Sequence, residues 1–150
     1  MNELELREVA AHWMTDGSKN TLGILEAFKD HVERWTEERM TAADVDAFRF
    51  IGTVATDRWP TITAGTYRVG DAVDKPAEVF GWRPEWALIT VRDPENGERV
   101  ILDGNNRALQ LRLATAAGRI SSATPITIIT GDLFEGGVRF IARVLAPLWR

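Results

Sequence analysis

The stretch 87-ALITVRDPENGERVILDGNNRAL-109 holds two runs of β-forming residues, an Asn-Gly turn between them and a helix start after them. ALITVRD and ERVIL are rich in Val, Ile and Leu, which suit a pleated, half-buried surface. The connector PENG ends in Asn96-Gly97, a pair that accepts the positive φ of a tight hairpin turn. The spacing predicts a β-hairpin, 87–93 with 98–102. Its second strand runs into 101-ILDGNNRAL-109, read as a strand end, an Asp103-Gly104 turn and the first turn of a helix. Ala108, Leu109, Leu111, Leu113 and Ala116 are the apolar positions of that helix, and Gly118 is its predicted C-cap. Pro125–Thr130 (PITIIT) reads as another strand, Gly136-Gly137 as a loop, and Val138–Leu145 as a final apolar helix.

Toward the N-terminus the pattern turns helical. Leu6, Val9, Ala10, Trp13 and Met14 have helical spacing within residues 3–14, and Asp16-Gly17-Ser18 interrupts them. Leu22, Leu25, Phe28, Val32 and Trp35 fall on one stripe and predict a second helix over Thr21–Arg39. Thr41-Ala-Ala-Asp44 is a capping-box variant that opens a third helix, with Val45, Phe48, Ile51 or Gly52, and Ala55 inward, ending near Asp57. Residues 61–86 allow a short strand around Thr66–Val69 and a helical turn near Ala77–Phe80, with Pro76, Gly81 and Pro84 breaking the rest. The expected fold is α+β in a single domain, 1–150. A helical N-terminal extension over 1–57 would precede a core over 61–150, with a small mixed sheet holding the hairpin and the 125–130 strand.

Composition narrows the function classes. The chain of 150 residues is 45% hydrophobic and 27% charged, values of a globular domain able to bury its own core. A net charge of −4 lacks the footprint of a nucleic-acid binder. There are no cysteines, which excludes disulfides, thiolate metal sites and cysteine nucleophiles. The first residues are too charged for a signal peptide and no apolar run reaches spanning length, so a cytoplasmic protein is expected, with no membrane partner.

The Asp103–Arg107 junction has the chemistry of an anion grip. A helix N-terminus presents unpaired N–H groups and the positive end of its dipole. Gly104 permits positive φ or close approach of a ligand. Arg107 in the first turn carries a forked donor for phosphate oxygens, and Asn105 and Asn106 carry side-chain amides. Asp103 is the candidate for a magnesium ion or a substrate hydroxyl. The same residues also make an ordinary corner: an Asp-Gly turn, an asparagine N-cap, and an arginine paired with a carboxylate or covering apolar surface.

The segment ALITVRDPENGERVILDGNNRALQLRLATAAGRISSATPITIITGDL, roughly a third of the chain, resembles the core of the ParB/sulfiredoxin superfamily. That core has two strands, the second ending in a Gly-x-x-Arg box, then a helix, a glycine and a third strand. Here the box is Gly104-Asn105-Asn106-Arg107, between Asp103 and Ala108. It is most similar to members with an Asp-Gly-His-His-Arg or Asp-Gly-Asn-His-Arg box, including ParB-like free serine kinases. In ParB-type proteins the box contacts the triphosphate of CTP, and in sulfiredoxin it meets ATP. The resemblance therefore implies nucleotide or phosphate binding, with ATP or CTP and magnesium as cofactors and an NTPase or phosphotransferase activity. The departures are informative. Asn105-Asn106 replaces sulfiredoxin's Cys-His and removes its thiol chemistry, and Asn106 replaces a histidine, which removes a general acid or base near neutral pH. The helix that usually precedes the hairpin gives way to the Pro-broken stretch 71–86. Only about twenty residues follow PITIIT, too few for a ParB helix-turn-helix, so sequence-specific DNA is not an expected partner.

Other candidates are weaker. His12 and His31 lack metal-ligand partners at useful spacing, and Ser18, Ser121 and Ser122 lack a nucleophile-elbow context. Glu78, Glu85 or Glu98 could act as a general base, though solvated glutamates are commoner. Glu37-Glu38 reads as a solvated helix end. Trp13 and Trp35 are expected in the core, with Trp59, Trp82, Trp86 and Trp149 at loop-like or terminal positions. Two readings follow: a nucleotide-binding protein using Gly104–Arg107, or a non-catalytic interaction module that keeps the fold with a decayed ligand site and binds a protein partner or its own copies.

Overall fold

The computed structural model describes residues 2–14, 21–50, 68–71 and 86–145. Within them lie strands β1 (Asn2–Leu4), β2 (Val32–Thr41), β3 (Ala87–Arg92), β4 (Arg99–Asp103) and β5 (Pro125–Leu133). Helices are α1 (Leu6–Met14), α2 (Thr21–Phe28), α3 (Ala42–Val45), α4 (Asn105–Ala116) and α5 (Val138–Leu145). The strands form one mixed sheet in the order β1-β2-β5-β3-β4. β3 and β5 are parallel, and every other neighbouring pair is antiparallel. The α+β class is therefore as expected. Among the described residues no helix is long and apolar enough to cross a membrane.

Both faces of the sheet carry an apolar layer, which is why β3 reads as an almost unbroken hydrophobic run. On one face α1, α2 and α5 bring Val9, Leu25, Phe28 and Ile141 onto Trp35, Ile89, Val91 and Ile129. On the other, α3 and α4 bring Val45, Leu109 and Leu111 onto Leu88, Ile101, Ile126 and Ile128. The hairpin, the helix after it and the 125–130 strand appear at the predicted places, with β5 running on to Leu133. α4 ends one residue before Ala117, and Gly118 follows at φ +74°. The final helix also matches.

The N-terminal third departs from the expectation. Residues 1–57 are not a helical extension, because β1 and β2 supply two of the five strands. The predicted helix over Thr21–Arg39 stops at Phe28, and Val32–Thr41 forms β2, paired with β5 along its length. A β-bulge between Val32 and Arg34 explains the misreading. The extra residue puts Val32 and Trp35, three apart, on the same buried face and so imitates a helical stripe. The capping box at Thr41 and Asp44 does form, but α3 lasts one turn. Its chain then leaves to bond the edge of β4, Arg49 N–H donating to Arg99 O at 3.0 Å and Ile101 N–H donating to Arg49 O at 2.9 Å. Of the expected strand at Thr66–Val69 only Arg68 and Val69 lie within the described residues: Arg68 makes an isolated bridge to Arg49, and Val69–Asp71 is a 3-10 turn. Ile51, Ala55, Asp57, Thr66, the turn at Ala77–Phe80, Ser18, Glu78, Glu85, Trp59, Trp82, Trp149 and the side chain of Trp13 lie outside the described residues.

Candidate functional site

Gly104 is the N-cap of α4, and its backbone (φ 100°, ψ 21°) is left-handed. Two constraints coincide there. A side chain would be strained by the dihedral, and an added Cβ would come within 2.7 Å of Leu88 Cδ2. The corner is thus pressed against β3, and only glycine fits without movement. Gly104 brings no side chain to the helix start, and no side-chain cap bond is made there. The first intrahelical bond runs from Ala108 N–H to Gly104 O at 2.8 Å, so the N–H groups of Asn105, Asn106 and Arg107 precede it.

Asp103 reaches this corner through a second bulge. β4 alternates normally up to Leu102, with Ile101 opposite Thr90, but Asp103 pairs with Ile89. The extra residue re-aims the carboxylate toward α4. Asp103 is buried (8% exposed), and its Oδ2 lies 3.8 Å from Arg107 Nη2. Arg107 does not point outward: its Nη1 donates to Ala87 O, and its Cζ sits 5.5 Å from the Trp86 ring centroid. Burial pushes the guanidinium down to about 10, which still leaves it cationic at neutral pH. Asp103, Gly104 and Arg107 therefore meet at one junction, with Arg107 anchored on β3 rather than extended to solvent.

A comparison with protein-family models, curated proteins and solved structures finds no match for this chain.

Asp103 is the one carboxylate contributed by the junction, it faces Arg107, and among the described residues no group of three or more potential metal ligands occurs. Glu98, considered as a base, is committed elsewhere. It receives Arg49 Nε at 2.5 Å, Arg49 Nη2 at 3.2 Å and Arg68 Nη2 at 2.5 Å. Those bonds hold its carboxyl down to about 2, so it is a poor proton acceptor. His31 stacks edge-on against Phe140 at 5.1 Å, and Ser121 Oγ accepts the Ala123 N–H, so neither forms a nucleophile–base pair.

Glu98 carries a stability prediction. Its folded pKa lies below the ordinary 4.5, so its contribution is present above that value and is lost as pH falls from there toward about 2. Glu98→Gln is expected to cost ~1.5–3 kcal/mol near neutral pH, the range for bonds to a charged partner. In urea unfolding the gap between variant and parent closes on acidification, and a pH-independent gap would contradict the assignment.

Sequence reasoning also missed a set of polar side chains. Glu38, read as a helix end, lies in β2 and pairs with Arg99 Nη2 at 2.6 Å. The signal was there as polar residues two apart, at Arg34, Thr36 and Glu38, at Thr90 and Arg92, and at Thr130 and Asp132.

Proposed function

We propose that the β4–α4 junction binds the phosphate of a nucleotide or other phosphorylated small molecule. The supporting observation is the left-handed glycine N-cap, which itself brings no capping side chain to a twelve-residue helix and has a half-buried arginine behind it. A phosphate there would meet backbone N–H groups and the positive end of α4. Arg107 would contribute its charge while holding the helix start on Ala87. The sequence adds two amide-bearing residues, Asn105 and Asn106.

The resemblance to the ParB/sulfiredoxin superfamily supports a nucleotide, ATP or CTP, as the ligand. Magnesium would then arrive on the phosphate oxygens. An NTPase or phosphotransferase step would rest on positioning and electrostatics, because the junction has neither histidine nor cysteine. The inward turn of Arg107 favours a second reading, in which the corner is structural and the protein is a non-catalytic interaction module.

Thermal unfolding with ATP, CTP, GTP and ADP plus magnesium separates the two. Ligand at a hundredfold excess over Kd stabilises by ~2.7 kcal/mol. At least one nucleotide is expected to raise Tm in a concentration-dependent manner. No shift from any of the four at millimolar concentration would reject the nucleotide reading.

A further inference from the structure

The apolar packing of α3 and α4 covers only part of its sheet face. It is confined to Leu88, Ile101, Ile126, Ile128 and the neighbouring Met40. Continuing each strand two residues at a time on the same side gives a different surface. β2 presents Glu38, Thr36 and Arg34, β5 presents Thr130 and Asp132, β3 presents Thr90 and Arg92, and β4 presents Arg99. This polar half lies at the carboxyl ends of the parallel strands β3 and β5, the end at which open sheets usually hold ligands. The glycine junction lies at the other end. Ala87 and Arg92 are five residues apart, roughly 17 Å at the usual strand rise.

The side chains form a built arrangement. Arg99 is laid across the sheet, its Nε donating to Thr130 Oγ1 at 3.2 Å and its Nη2 to Glu38 at 2.6 Å. The buried Thr90 and Thr130 form its floor, Thr90 Oγ1 lying 3.2 Å from Thr130 Oγ1. Phe48 covers it with a ring centroid 5.6 Å from its Cζ. Beside it, Asp132 is shared by two arginines: Oδ1 receives Arg92 Nε at 2.6 Å and Oδ2 receives Arg34 Nε at 3.3 Å. Each of these bonds uses the Nε corner of the fork. Among the described residues no acceptor meets the Nη groups of Arg34 or Arg92.

Arg34 and Arg92 share the single carboxylate of Asp132, while Arg99 pairs with Glu38 and also lies within electrostatic reach of Asp44, so the cation in excess of its partner is at Arg34 and Arg92. Polar and charged side chains at positions that would otherwise bury hydrophobes are costly, and such departures gather at functional sites. We infer that this polar half-face is a second ligand site, taking a small oxyanion, a carboxylate or a phosphate, between the Nη groups of Arg34 and Arg92. Guanidinium forks suit both anions through paired N–H···O bonds. Asp132 orients the two forks by holding their Nε corners, and Arg99 with Thr130 forms the rigid wall beside them.

The test is a titration of the arginine Nε–Hε resonances in nitrogen-15-labelled protein, with inorganic phosphate in one arm and succinate in the other, at constant ionic strength set by sodium chloride. The Arg34 and Arg92 signals are expected to move saturably with at least one of the two anions. Arg92→Gln should weaken that response at least tenfold. Arg34→Gln, at the more exposed of the two, should do the same with the rest of the spectrum preserved. The arm that responds names the anion. No saturable movement in either arm, or a response unchanged in both variants, would overturn the proposal and leave the cluster a structural ion network. Movement at Arg107 alone would also overturn it, and would report on the glycine junction instead.

Discussion

Replacing Gly104 by alanine is expected to destabilise the protein by ~2–4 kcal/mol, combining left-handed backbone strain with overpacking against a full core. The two parts can be separated within the same molecule. Gly97 also has positive φ (72°), but nothing lies within 4 Å of a Cβ built on it, whereas at Gly104 Leu88 Cδ2 would be 2.7 Å away. Gly97→Ala should therefore cost only the strain, ~1–2 kcal/mol. Leu88 is fully buried and cannot swing aside cheaply. Urea unfolding of both variants measures the difference. Equal losses would mean that the junction is not pressed against β3 as described, and would remove the packing reason for glycine at the N-cap.

Trp35→Ala is expected to be more damaging, at ~3–5 kcal/mol, the range for a buried aromatic truncated to alanine. Trp35 pairs with Gly131 across β2 and β5, and its ring lies over that glycine. A Cβ on Gly131 would sit 2.7, 2.9 and 3.0 Å from Cζ3, Cε3 and Cη2. The pair therefore predicts a change of sign. Gly131→Ala should destabilise the parent but be neutral or stabilising in the Trp35→Ala background, where the space is vacant and alanine is the better strand residue. Additive effects in the double-mutant cycle would contradict the ring-on-glycine contact.

Those two glycines show which parts of the chain were readable in advance. The hairpin, α4 and β5 follow from local rules, since the Asn-Gly turn, the β-branched runs and the helical spacing after Gly104 all agree with their environment. Gly104 was legible as a positive-φ corner, but the Leu88 contact that makes it obligatory is long-range. β2 failed because its bulge at Glu33 converts a strand period into a spacing of three between Val32 and Trp35. The short α3 failed because Phe48 continues the inward spacing of Val45 while Arg49 leaves to bond β4. At the junction the residue types were readable, whereas the direction of Arg107, toward Ala87 and Asp103, depends on a second bulge that no local pattern marks. The polar half-face escaped notice because it is assembled from four strands, one of them misread as helix.

The phosphate grip is most directly tested by Asn106→Asp in the first turn of α4, read by thermal unfolding with and without the nucleotide that stabilises the parent. A carboxylate there complements the helix dipole, so the free variant is expected to match or exceed the parent by up to ~1 kcal/mol. The same charge opposes an incoming phosphate, so the nucleotide-dependent rise in Tm is expected to vanish. Retention of that rise at full size, in a variant as stable as the parent, would place the nucleotide elsewhere and contradict the assignment of α4's N-terminus as the phosphate site.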